Sequence, residues 1–190
     1  MFLRIEPLAR GAGFEFADEV KGGTIPGQFI PAVEKGVRQV MAGGAIAGYP
    51  LQDVRVTVYD GKYHSVDSKE VAFVAAGKKA FLDAIAKARP QVLEPIVDLE
   101  VSAPEQHMGD ISGGLAAKRA RINGTDSARS GDIVVKAQVP LSELEGYAAE
   151  LKSVTAGRGR YSLDFSHYEP VPAQVQQKLV EAYKPRHDDE

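Results

Sequence analysis

The chain has 190 residues, 44% hydrophobic and 26% charged, a balance that excludes disordered and fibrous classes and leaves room for one large domain or two small ones. It has no cysteine, which excludes disulfides, thiol nucleophiles and cysteine-ligated metal; its net charge of -3, from 23 Lys and Arg against 26 Asp and Glu, excludes coating nucleic acid by bulk charge. No apolar run approaches the roughly 20 residues that span a bilayer, and Met1-Phe2-Leu3-Arg4-Ile5-Glu6 lacks signal-peptide order, so a cytoplasmic protein with no membrane partner is expected.

Phe2 to Ile5 and Phe14 to Ala17 read as strands separated by the turn-prone Ala9-Arg10-Gly11-Ala12-Gly13, which predicts a hairpin. After Pro26-Gly27, the residues Ile30, Val33, Val37 and Val40 recur at helical spacing, with Pro31 in the first turn and Gly43-Gly44 at the end. Val54, Val56 and Val58 alternate with Arg55, Thr57 and Tyr59, the period of a strand with one buried face, and Asp60-Gly61 ends it. An alanine-rich helix is predicted over Glu70 to Ala88, with Ser68 as N-cap and Arg89-Pro90 as stop.

The second half starts between Ala88 and Pro95. Val92 to Val101 reads as a strand, Met108, Ile111 and Leu115 as a short amphipathic helix with Lys118-Arg119 in its last turn, and Arg121 to Ala128 and Ile133 to Val139 as a hairpin turning at Arg129-Ser130-Gly131-Asp132. Ser142-Glu143-Leu144-Glu145 has the form of a capping box, which predicts a helix burying Leu141, Leu144, Ala148 and Leu151. Thr155-Ala156-Gly157-Arg158-Gly159 is a loop before a last strand, Arg160 to Tyr168. Strand, helix, strand, strand, helix, strand is the ferredoxin-like order, an arrangement that many unrelated functions share.

Particular residues say more. Gly22-Gly23-Thr24-Ile25-Pro26-Gly27-Gln28-Phe29-Ile30-Pro31-Ala32-Val33-Glu34-Lys35-Gly36, then Ala47-Gly48-Tyr49-Pro50, then Tyr63-His64-Ser65-Val66-Asp67-Ser68 closely resemble domain IV of the elongation factor G family. Leu93-Glu94-Pro95-Ile96, Val139-Pro140-Leu141-Ser142-Glu143 before Gly146-Tyr147-Ala148, and Leu151-Lys152-Ser153-Val154-Thr155 before Gly157-Arg158-Gly159 continue that resemblance, in order, to about Val175. It implies an α+β protein of two small domains: residues 1–92, an α/β unit similar to the second domain of ribosomal protein S five, and residues 93–170, ferredoxin-like, with a C-terminal helix and solvated tail over 171–190.

The same resemblance implies a ribosome-binding part of a translational GTPase that moves tRNA and mRNA. No G-x-x-x-x-G-K-[ST] occurs in the chain, so the expectation is a piece without the GTP-binding domain: no enzyme and no cofactor of its own, with GTP and Mg belonging to the N-terminal domains of its parent. The resemblance further implies a start inside the first strand of domain IV, with half of that domain's tip expected to be absent. Ser65 stands where the family has aspartate and Ala120 where it has the glycine closing the first helix of domain V, so a paralogue specialised in ribosome disassembly, recycling or protection is an alternative.

The tip loop Lys62, Tyr63, His64, Ser65 and Asp67 is implied to enter the decoding centre, where an imidazole and hydroxyls hydrogen-bond RNA backbone and 2′-hydroxyls. Read without the resemblance, Tyr63 is core, Asp67 and Ser68 cap a helix, and His64 is a solvated loop residue. Lys118, Arg119, Arg121, Arg158 and Arg160 are candidate ribosomal RNA contacts in domain V, with ordinary solvated charge as the other reading. His107, His167 and His187 have no ligand-like spacing, so no metal site is expected, and Asn123-Gly124-Thr125 reads as a turn. A hydrolase using His64 with Asp67 lacks a nucleophile in a recognisable motif, and a stand-alone ferredoxin-like ligand-binding module lacks a residue that argues for it.

Overall fold

A strand whose side chains are buried on one face needs hydrogen-bonded neighbours along both edges, and Val54 to Val58 supplies the most buried strand of the first half. In the computed structural model, which describes residues 1–64, 69–127 and 131–184, this strand, β3 (Val54–Asp60), lies at the centre of a three-stranded sheet. Strand β1 (Phe2–Pro7) pairs with it antiparallel and β2 (Phe14–Asp18) pairs with it parallel. The expected β1–β2 hairpin is therefore not formed: β3 separates the two strands. The intervening turn is anchored on Asp53, whose side chain accepts from the Gly13 amide at 2.9 Å and whose carbonyl accepts from Leu8 at 2.8 Å.

Helix α1 (Ile30–Gly43) makes the crossover between parallel β2 and β3, with Pro31 at its start and Gly44 in a positive-φ conformation at its end, as the spacing predicts. Helix α2 (Glu70–Lys87) follows β3. The proposed cap Ser68 lies outside the described residues; Lys69 occupies the cap position and makes no side-chain cap bond. Val33, Val37, Val56, Val58, Phe73 and Phe81 fill the core between the helices and the sheet.

The two helices approach backbone to backbone. A Cβ on Gly36 would run into the Val74 carbonyl, and one on Gly77 would lie 2.7 Å from the Val33 carbonyl.

The chain divides into two units, Met1–Val92 with the segment from Pro172 onward, and Leu93–Val171. Helix α5 (Ala173–Ala182) belongs to the first unit. Gln176 accepts from the Val92 amide at 3.0 Å and donates to the Pro90 carbonyl at 3.1 Å, and the Tyr183 hydroxyl donates to the Gly44 carbonyl at 3.2 Å.

In the second unit, β4 (Leu93–Pro104) and β6 (Asp132–Pro140) are central, β5 (Arg121–Ser127) and β7 (Arg160–Pro170) are at the edges, and all pairings are antiparallel in the order β5-β6-β4-β7. Helices α3 (Met108–Ala117) and α4 (Tyr147–Val154) complete the ferredoxin-like βαββαβ arrangement. Val97, Leu99, Val101, Val135 and Val139 meet Ile111, Leu115, Tyr147 and Leu151 in its core.

Several local expectations shift. Residues 129 and 130 of the predicted turn lie outside the described residues, while Ser127 pairs with Ile133 as a hairpin requires. Asn123-Gly124-Thr125 is not a turn but part of β5, where the register shifts between Ile122 and Gly124. The capping box does not start a helix: Leu141–Leu144 is a 3-10 turn, Gly146 has φ 74°, and α4 starts at Tyr147. Leu151 is buried as expected and Leu144 is partly so, but this later start adds Tyr147 to the buried face and leaves Leu141 and Ala148 exposed. Burial pushes the Tyr147 hydroxyl up to about 12.

The contact at Gly36 makes a sharp prediction. Gly36→Ala should lose about 1–3 kcal/mol, the cost of overpacking, whereas Gly113→Ala, on the open side of α3, should gain about 0.5–1 kcal/mol of helix propensity. Urea unfolding of the two variants distinguishes them by sign.

Candidate functional site

The tip loop leaves β3 through Gly61, which is buried because Ile25 lies on it: a Cβ at Gly61 would sit 2.5 Å from Ile25 Cδ1. Two residues further on, the Tyr63 ring, 37% exposed, meets Phe29 at a centroid distance of 5.8 Å. Phe29 stacks on buried Phe73 of α2 at 4.5 Å and 14° between planes, so the three rings run outward from the core to the loop. Such pairs contribute about 0.5–1.5 kcal/mol each beyond the area they bury.

Lys62 and His64 flank Tyr63 and are exposed. Tyr63 is therefore not the core residue that the reading without the resemblance expected: its ring is exposed and touches Phe29 from the surface. Ser65 and Asp67 lie outside the described residues. Ile25 and Phe29 beneath the loop occur in the glycine-rich stretch that carries the resemblance, but nothing in the sequence gives either of them a part in the loop.

The second unit sorts its basic candidates into two kinds. Lys118 closes α3 and pairs with Glu150 at 2.8 Å. Arg119 has φ 57°, a conformation costly for a residue with a Cβ, and it falls one position before Ala120. Its guanidinium makes a two-pronged contact with Glu94, at 2.7 and 2.8 Å, and a third bond to Glu143 at 2.8 Å. Glu94 is 8% exposed, and the bonds to it hold the Arg119 guanidinium still further above its already high value.

Arg119 therefore ties the start of β4 to the end of α3 and to the 3-10 turn before α4. Arg121 bonds Glu169 at 2.6 Å on the sheet face that carries Gln138 and Asp98.

Arg158 and Arg160 differ. Thr155, fully buried, donates from its hydroxyl to the Leu151 carbonyl and accepts from the Gly159 amide, both at 2.7 Å. The Gly157 amide bonds the Lys152 carbonyl at 2.7 Å, and Ala156 and Gly157 take positive φ. A Cβ at Gly159 would lie 2.8 Å from Leu151 Cγ, so glycine is needed for the close approach. This braced turn carries Arg158 and Arg160 exposed, and among the described residues neither has an ion-pair partner.

Among the described residues no group of three or more His, Cys, Asp and Glu is placed to hold a metal ion, and no helix is long and apolar enough to cross a membrane. The sequence contains no G-x-x-x-x-G-K-[ST] phosphate loop.

Fold and sites together define a two-domain α+β module with exposed Lys62 to His64 after β3 on one unit and a braced basic turn on a ferredoxin-like unit. Comparison with known proteins places it: residues 1–89 match elongation factor G, domain IV, and residues 91–179 match the elongation factor G C-terminus. The chain belongs to the elongation factor G family through these two domains.

Elongation factor G of Aquifex pyrophilus is 51% identical over 179 residues, which is 94% of this chain and 25% of that protein. A crystal structure of a Thermus thermophilus protein superposes with a TM-score of 0.75 at 39% identity, over 94% of this chain and 26% of the other. The chain thus spans about a quarter of the length of these relatives.

Two measurements check the polar framework. Arg119→Met should cost the second unit about 2 kcal/mol, because a poorly solvated Glu94 loses its charged partner, and urea unfolding reads the loss. The Glu169 carboxyl is held below its ordinary value by the hydrogen bond from His167 and then by that from Arg121. A carboxylate depressed on folding stabilises above its unfolded pKa and loses that contribution as pH falls through the folded value. A carbon-detected NMR titration should accordingly find Glu169 titrating below free glutamate, and Arg121→Ala should move it back up.

Proposed function

We propose that this chain is the ribosome-engaging portion of a translation factor of the elongation factor G type, contacting RNA through the loop at Lys62, Tyr63 and His64. The observation that carries this reading is the 51% identity with elongation factor G over 94% of the chain. It is joined by the start of a loop in which Tyr63 rests against Phe29 and exposed Lys62 and His64 stand on either side of it, side chains available to a partner.

An imidazole donates or accepts at a phosphate or 2′-hydroxyl, and a lysine ammonium neutralises one phosphate. On the second unit, Arg158 and Arg160 are the better-placed candidates for ribosomal RNA, since Lys118, Arg119 and Arg121 already face carboxylates. The intact parent would act in the cytoplasm and couple GTP hydrolysis, performed by its other domains with GTP and Mg, to movement of tRNA and mRNA. These two domains would supply shape and contacts, which suits the slightly negative net charge.

Co-sedimentation with purified ribosomes across a salt series tests this. Binding should weaken with salt, His64→Ala should weaken it about tenfold, and Arg158→Ala should lower the salt slope by about one if it neutralises one phosphate. Failure of the chain to bind at low salt, alone and rejoined to the parent's other domains, would sink the proposal.

A further inference from the structure

The glycine-rich segment before α1 is not absorbed by the contacts proposed above, yet it grips the tip loop at two points. Ile25, buried, covers Gly61 so closely that no larger residue fits there. Phe29, at the end of the 3-10 turn Gly27–Phe29, meets Tyr63 on one side and Phe73 on the other. The two grips bracket Gly61 to Tyr63, so that His64 is the first residue outside them.

Neither grip comes from the elements that flank the loop in sequence, since β3 and α2 are bridged by a segment preceding α1. From this geometry we infer that Ile25 and Phe29 are positioning residues for His64: they seat the loop, fix Tyr63, and hold the imidazole in the orientation in which it meets RNA. This rests on the function proposed above for the RNA contact, while the seating itself is independent of it.

The arrangement calls for an aromatic ring at position 29, between Phe73 and Tyr63. A branched aliphatic side chain fills volume but presents no flat face to Phe73 and Tyr63 together, so Phe29→Leu should keep α1 docked while releasing the loop, and Phe29→Tyr should retain the seat. Val37, Val40 and Met41 anchor α1 in a cluster that does not include Phe29, whereas Ile30 and Val33 pack in the same cluster as Phe29.

The test has two readouts on the full chain. First, ring-carbon relaxation of His64 is compared in the parent sequence, Phe29→Leu and Phe29→Tyr, with His107 and His167 as internal references. Loosening of His64 alone in Phe29→Leu, restored in Phe29→Tyr, is expected; unchanged His64 relaxation in a folded Phe29→Leu protein overturns the inference. Should Phe29→Leu fail to fold, Tyr63→Leu replaces it, because it breaks the same contact from the exposed side.

Second, ribosome affinity is measured for Phe29→Leu, His64→Ala and the double variant. Phe29→Leu should weaken binding about fivefold when His64 is present and less than about twofold when it is already alanine, the non-additivity of residues that act through one another. Additive losses would mean that Phe29 serves only stability, which refutes positioning and leaves the proposed function standing. Loosening of His64 with no ribosome binding by any form would instead overturn the proposed function, and with it the role of the seat in recognition.

Discussion

The first unit depends on one contact between backbones, where Gly36 of α1 meets the carbonyl of Val74 and Gly77 of α2 meets that of Val33. Without side chains in between, the helices pack closely enough for Val37 to meet Phe81 in one cluster and Val33 to meet Phe73 in another, side by side over β3. The height of α2 above the sheet then decides where Phe73 lies, and Phe73 in turn carries Phe29 and Tyr63. Exposed Tyr63 is thus connected through Phe29 and Phe73 to the helix that this glycine contact positions.

The second unit is organised by polar groups that its apolar core leaves at the edges. Arg119 accepts an unfavourable backbone conformation and is compensated by charge-assisted bonds to Glu94 and Glu143. Thr155 plays the corresponding part at the other helix end, bonding both Leu151 and Gly159 from within the core. One clamp holds basic side chains inward and the other turns them outward, although both stretches read as equally basic along the chain.

Membership of the elongation factor G family joins these observations to a biological setting, and the structure refines what the family likeness implies residue by residue. Cationic side chains near a helix end are not equivalent: Lys118 meets a carboxylate of α4 and Arg119 and Arg121 meet carboxylates from distant strands and a turn, whereas Arg158 and Arg160 ride on a turn braced by glycine and a buried hydroxyl. Such partners lie 25 to 48 positions away for Arg119 with Glu94 and Arg121 with Glu169, beyond the reach of any local pattern.

Much of the architecture was legible in the sequence. Period-two alternation at Val54, Val56 and Val58, helical spacing from Ile30 to Val40, and the strand and helix order of the second half all express local geometry that side-chain spacing dictates. The ordered motifs around His64 marked the loop. What only tertiary structure decided was which strands pair, since a central strand takes its neighbours by burial and displaces the short-range hairpin of β1 with β2. It also decided where α4 begins, because Gly146 in a positive-φ conformation overrides the capping signal at Ser142, and what seats the loop, because Ile25 and Phe29 reach it through space. Spacing encodes the face a residue presents within its own element; the partner that face meets is settled by packing among elements far apart in the chain.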